Sequence, residues 1–215
     1  MTTRNGLAII VGSIVVTAAA CSGSTTTPSL PAPPSLSASV SDAVGDTVIL
    51  PVLRNGVLLT PVVPIPPDLV GATIDVRGGN LTATISFAPG TLSHTNTFAC
   101  LMLDVDENAS TGAPAPGGEP LGYDYSICGV VPRASTSAQV SQLGGGVATN
   151  ISSVAATFPT ADQVQFVVPL SVLGNDDGRM AFKVNAMQFV DDPIVFNSGA
   201  VDWMPDLTRA AALIR

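Results

Sequence analysis

The chain has 215 residues and a formal net charge of −8, with only 11% of its residues charged. The excess of acid excludes nucleic acid as the expected partner and is compatible with cations or neutral ligands. So few charges leave a surface built from Ser, Thr, Gly and Asn, and the stretch 40–215 is of a size that suits one domain.

Residues 1–20 read as an export signal. Arg4 supplies a basic start, Leu7 to Val16 is apolar apart from Gly12 and Ser13, and Ala18-Ala19-Ala20 offers small residues for cleavage. The apolar run is about half of what a spanning helix needs. Cys21 follows directly, a pattern that resembles a bacterial lipoprotein signal. By that resemblance Cys21 becomes the first mature residue and carries lipid, anchoring the exported protein to a bacterial membrane. Two or more acyl chains hold firmly, at about 0.8 kcal/mol per buried methylene. Ordinary secretion, with Cys21 incidental, is the alternative. Ser22 resembles the residue that lets lipoproteins pass to an outer membrane. Residues 22–39 read as an uncharged tether of Ser, Thr, Pro, Gly and Ala with few large apolar residues, too poor in apolar surface to offset its ordering entropy. Its prolines favour an extended form.

Beyond the tether, period-two alternation dominates. Leu81 to Phe87 is apolar at every odd position and polar at every even one, the mark of a half-buried strand. Ala72 to Arg77 alternates likewise, and Arg77-Gly78-Gly79-Asn80 turns the two into a hairpin. Strands are also predicted at 98–104, 123–131, 137–143, 151–158, 163–168 and 180–189. Turn signals separate them, among them Pro89-Gly90, Gly144-Gly145-Gly146 and Asn175-Asp176-Asp177-Gly178. Pro169 to Gly174 suits one helical turn, and Leu207 to Ile214 suits a short helix or a last strand. Many short strands at near-regular spacing predict an all-β, antiparallel sandwich.

The densest chemistry lies in Asp104-Val105-Asp106-Glu107-Asn108-Ala109-Ser110-Thr111-Gly112, followed by Gly122-Tyr123-Asp124-Tyr125. With Cys21 lipidated, Cys100 and Cys128 remain as a pair that persists as a disulfide outside the cytoplasm. If 98–104 and 123–131 pair antiparallel, the register that sets Cys100 against Cys128 also sets Asp104 against Asp124. Leu101, Leu103, Tyr125 and Ile127 then share the core face, and Met102 and Ser126 the other. Opposed aspartates destabilise a sheet unless a counter-ion sits between them. Ca2+ takes oxygen ligands from flexible loops, and the expected set is Asp104, Asp106, Asn108, Thr111 and Asp124. The pattern overlaps the start of an EF-hand loop but lacks its sixth-position glycine and twelfth-position glutamate. A solvated acidic turn is the plainer alternative.

Pro67-Asp68-Leu69-Val70-Gly71-Ala72, Gly78-Gly79-Asn80-Leu81, the acidic loop and Gly122-Tyr123-Asp124-Tyr125 together resemble bacterial sandwich domains related to DOMON and family 9 carbohydrate-binding modules. Pro169 to Gly174 and Asp177-Gly178 fit the later part of the pattern. The resemblance spans 40–206. It implies a jelly-roll-like sandwich, often exported, often binding sugar or haem. For sugar, Trp203 in Asp202-Trp203-Met204-Pro205-Asp206 reads as a late-loop stacking platform or as a cover for the sandwich edge. For a haem or redox module, His94 and the methionines Met102, Met180, Met187 and Met204 are the available axial ligands, although solvation of His94 and packing of the methionines are the plainer readings. No catalytic residue is assigned. A nucleophilic triad would have to recruit the sole histidine, with no Gly-x-Ser-x-Gly elbow. Asp104 with Asp106 or Asp124 offers a glycosidase-like carboxylate pair, but no aromatic-rich cleft accompanies it.

Overall fold

The computed structural model describes residues 35–54, 57–60, 63, 65–92, 97–131, 136–189 and 199–215. The export signal, Cys21, most of the tether and His94 lie outside the described residues.

In chain order the strands are β1 (Leu36–Ser41), β2 (Val48–Leu50), β3 (Val52–Arg54), β4 (Val57–Leu59), β5 (Leu69–Arg77), β6 (Asn80–Phe87), β7 (Thr97–Asp104) and β8 (Ala113–Pro114). They continue as β9 (Gly122–Tyr123), β10 (Tyr125–Val131), β11 (Ser137–Gly144), β12 (Val147–Thr157), β13 (Gln163–Pro169), β14 (Met180–Phe189), β15 (Gly199–Met204) and β16 (Ala212–Ile214). Two short 3-10 turns, Pro116–Gly118 and Leu170–Leu173, are the only helical elements among the described residues. The second ends at Gly174, whose φ of +76° suits a residue without a Cβ.

Twelve strands form one antiparallel sheet in the order β1-β5-β6-β13-β12-β11-β10-β7-β14-β15-β2, with β16 beside the first residues of β14. The fold is all-β, as the alternation predicts. The sheet bends over itself as a sandwich. Side chains from β5 and β6 near one end of the order share a single core with those from β14, β15 and β16 near the other; Ile74, Leu81 and Ile85 join Phe182, Val184 and Met204. These residues recur at alternate positions, so each strand lays one face against the opposite layer.

The strands at the two ends of that order, β1 and β2, are neighbours in sequence, joined by residues 42–47. Six residues reach about 20 Å at most, so the two ends of the sheet are brought together along one seam.

Several boundaries differ from expectation. β1 takes in Leu36–Ser39, which were expected to belong to the tether; Leu36, Ala38 and Val40 alternate with serines and pair with β5. The strand expected over 123–131 is broken at Asp124 into β9 and β10. The segment 207–214 supplies a strand, not a helix, and only at its end. Trp203 lies within β15 opposite Asn185, partly buried, and not in a loop. Met180 and Met204 are buried in the core, the packing role expected of them.

Candidate metal centre

The pairing of β7 with β10 follows the expected register: Cys100 stands opposite Cys128, Met102 opposite Ser126, and Leu103 opposite Tyr125. Cys100 and Cys128 are joined by a disulfide, their Cα atoms 4.2 Å apart. Leu101, Leu103, Tyr125 and Ile127 belong to the core, as predicted. The ladder ends at Leu103 and Tyr125. One step further, Asp124 sits between β9 and β10, donating its amide to the Leu103 carbonyl at 2.8 Å.

That step brings the predicted aspartates together. One carboxylate oxygen from each of Asp104, Asp106 and Asp124 lies within 4.8 Å of the other two. Asp104, the last residue of β7, is fully buried, Asp124 is half-buried and Asp106 is exposed. Backbone amides hold the carboxylates. Asp104 accepts from Asn108 and Gly122, both at 3.2 Å. Asp106 accepts from the Asn108 amide at 3.0 Å, and Asp124 from the Val105 amide at 3.0 Å. Burial pushes the Asp104 carboxyl above the usual range, with the Gly122 and Asn108 amides pulling it back and Asp106 pushing it further. Asp124 is raised in the same way, first by burial and then, against the pull of Val105, by Asp106 and Asp104.

The other two expected ligands are placed differently. The Asn108 side-chain oxygen accepts from the Ser110 amide at 3.1 Å and its hydroxyl at 2.7 Å, so it serves the loop's own turn. The Thr111 hydroxyl lies 3.0 Å from both Asp106 oxygens and 2.8 Å from the Asn108 carbonyl, so it steadies a carboxylate.

Two glycines let the loop close. Gly112, at φ +63°, packs against the Tyr123 carbonyl, and Gly122 packs against the carbonyls of Thr111 and Asn108. A Cβ on either would occupy the space of those backbone atoms. This close approach is what lets β8 pair with β9 and swing the loop back over Asp104. Glu107 adopts the left-handed region at φ +51°, unusual for a residue with a side chain. Its carboxylate is gripped by both terminal nitrogens of Arg215, one at 2.8 Å. Buried Lys183 meets Glu119 at 2.6 Å and the carbonyl of Arg209 at 2.7 Å, and Ala211 donates to Glu119 at 2.6 Å. The stretch after the acidic loop is thereby tied to the C-terminal segment. The Asp176 and Asp177 carboxylates accept from Gly178 and Arg179, the local turn bonds expected there.

Sequence reasoning missed two things. Tyr123, whose neighbour Asp124 it did select, is buried with its hydroxyl lacking a hydrogen-bond partner, and burial, Glu119 and Asp104 push that hydroxyl upward. A second set, Asp42, Asp46 and Asp202, also brings three carboxylate oxygens within 4.8 Å of one another. The available signal for Asp202 was its parity: it lies two residues from each of Ala200 and Met204 and so shares their face of the strand, which is buried.

In comparisons with known proteins, no family model, curated protein or solved structure matches the chain.

Proposed function

We propose that the chain is a non-enzymatic, lipid-anchored extracytoplasmic sandwich module whose acidic loop is organised by Ca2+ held by Asp104, Asp106 and Asp124. The observation that carries this reading is the convergence of three carboxylate oxygens, from the end of β7, the loop after it and the break between β9 and β10, within 4.8 Å. Carboxylates this close repel, and a hard divalent cation is the natural partner for an all-oxygen set. Asp104 is inaccessible to a substrate and two amides already engage it. That favours an ion-ordering role over the glycosidase-like pair, which needs one carboxyl against a sugar and the other against water or the anomeric carbon. The membrane anchor rests on Cys21 following Ala18-Ala19-Ala20.

A carbohydrate ligand is the reading of the outer surface that the sequence resemblance supports. Trp203 is its tested residue, and glycan-array binding that survives Trp203→Ala would remove it from that role. The calcium reading is tested by thermal melting of chelator-treated protein with and without millimolar Ca2+. Melting is expected to shift upward, because a ligand bound only to the folded state stabilises it. The loop's share of the shift is expected to vanish in Asp104→Asn. A melting temperature indifferent to Ca2+ overturns the reading.

A further inference from the structure

The seam where the two ends of the sheet meet carries its own group of acids. Asp42 and Asp46 lie in the turn between β1 and β2. Asp68 immediately precedes β5, the neighbour of β1, and Asp202 lies in β15, the neighbour of β2. Backbone bonds lock these pieces together. The Leu69 amide donates to Asp202 at 2.6 Å, the Gly45 amide to Asp68 at 2.9 Å, and the Asp42 amide to the Val70 carbonyl at 3.2 Å.

What distinguishes this group is unmet acceptor capacity. Asp68 is 6% exposed and Asp202 3% exposed. Asp68 has one oxygen bonded to Gly45, so its carboxylate faces the turn between Asp42 and Asp46. The other oxygen is buried without any hydrogen-bond partner. Asp42 Oδ2 and Asp46 Oδ1 are likewise buried and unpartnered. Among the described residues, no Lys or Arg forms an ion pair with any of the four. Burying a carboxylate oxygen without a partner costs free energy on the order of kcal/mol each. Three such atoms beside a set of converging carboxylates call for positive charge, and Arg209, whose charge reaches Asp42, is ion-paired with Asp206 instead.

We infer that Asp42, Asp46 and Asp202, with Asp68 behind them, form a second divalent-cation site that clasps the turn between β1 and β2 to the inner face of β15. The donors are all oxygens drawn from separate segments in an irregular cage, which suits Ca2+ better than the strict octahedron of Mg2+, and water completes the shell. The ion joins both ends of the sheet order at once, so its role is to hold the sandwich shut. The site does not depend on the loop cluster.

Tb3+, a luminescent stand-in for Ca2+, tests the site on the calcium-stripped full chain. The single tryptophan, Trp203, is adjacent to Asp202, so selective tryptophan excitation is expected to light Tb3+ bound at the seam, with Ca2+ quenching the emission by displacement. Asp46→Asn is expected to weaken Tb3+ binding at least ~10-fold, and Asp104→Asn to leave the tryptophan-excited signal in place. Circular dichroism verifies that each variant is folded, and Asp42→Asn replaces Asp46→Asn if the latter is not. Absence of tryptophan-excited emission from folded wild-type protein overturns the site, as does emission unchanged in both Asp42→Asn and Asp46→Asn. Emission lost only in Asp104→Asn also overturns it, and leaves the loop reading standing. Retained seam emission with no Ca2+ response of the loop does the reverse.

Discussion

The two acidic clusters each bring three carboxylate oxygens within 4.8 Å of one another, yet they differ in how much of their acceptor capacity is met. In the loop cluster, amides of Val105, Asn108 and Gly122 reach the carboxylates, and Thr111 adds a hydroxyl. At the seam, amides of Ala43, Gly45 and Leu69 also reach carboxylates, but one buried oxygen on each of Asp42, Asp46 and the neighbouring Asp68 has no hydrogen-bond partner. The loop folds tightly round its own acids because the chain is continuous there and supplies amides at the right spacing. The seam joins segments far apart in sequence, and the amides that reach its carboxylates leave part of their acceptor capacity unmet. Crowded carboxylates are therefore tolerable in the first case through local dipoles, with an ion adding to them. In the second, the inferred cation would carry more of that compensation.

The largest expected effect separates the clusters by pH. Burial pushes the Asp202 carboxyl up to about 7, against the pull of the Leu69 amide and with Asp46 and Asp42 adding to it. A folded-state value above the unfolded 3.8 means the proton is held more tightly in the fold. The stabilisation is then complete below the unfolded value and is lost as pH rises through about 7. Chelated protein is expected to lose on the order of 3 kcal/mol across that window. Urea unfolding at a series of pH values measures it, and Asp202→Asn should remove the part of the profile near pH 7, leaving the smaller share of Asp104 and Asp124. A flat profile in wild-type protein would erase the distinction between the clusters.

Next in size is Gly122→Ala, which forces a methyl into the Thr111 carbonyl. A loss of about 2–3 kcal/mol is expected in urea denaturation, with seam Tb3+ emission intact. Loss of that emission too would show that the two regions are coupled. Calcium comes third. At ten to a hundred times Kd, each occupied site adds about 1.4–2.7 kcal/mol. Asp104→Asn and Asp46→Asn should each remove one share, and their sum should match the double variant because the sites share no ligand. Arg215→Ala is the smallest: an exposed ion pair contributes little to global stability. Its signature is faster amide exchange at Glu107 and Asn108, with the melting curve in place.

The loop cluster was legible in the sequence for physical reasons that the seam lacks. Asp104, Asp106 and Asn108 are close in the chain, and one cysteine pair was enough to align Asp104 with Asp124 once alternation had marked the strands. Asn108 and Thr111 were expected as ligands on spacing, and their side chains also bond within the loop, to Ser110, Asp106 and the Asn108 carbonyl, as short polar side chains in a tight turn do. The seam needs the strand order, which alternation does not encode. Asp42 and Asp202 become neighbours only because β1 and β2 close opposite ends of one sheet. β1 itself was obscured by its serines, whose composition suits a linker although Leu36, Ala38 and Val40 keep the period of a strand. The prolines and acids around Trp203 concealed β15 in the same manner, since a short strand between turn residues reads as loop.

The disulfide has a further consequence. Cys100 and Cys128 stand on either side of the whole acidic loop, 28 residues apart. The exposed stretch Asn108 to Ser110 is where a protease would find the chain. A cut there severs the backbone, but the two fragments remain one covalent molecule. Each fragment carries half of the β7–β10 ladder, already aligned for re-pairing. On a denaturing gel the nicked protein would migrate as two pieces only after a reductant is added.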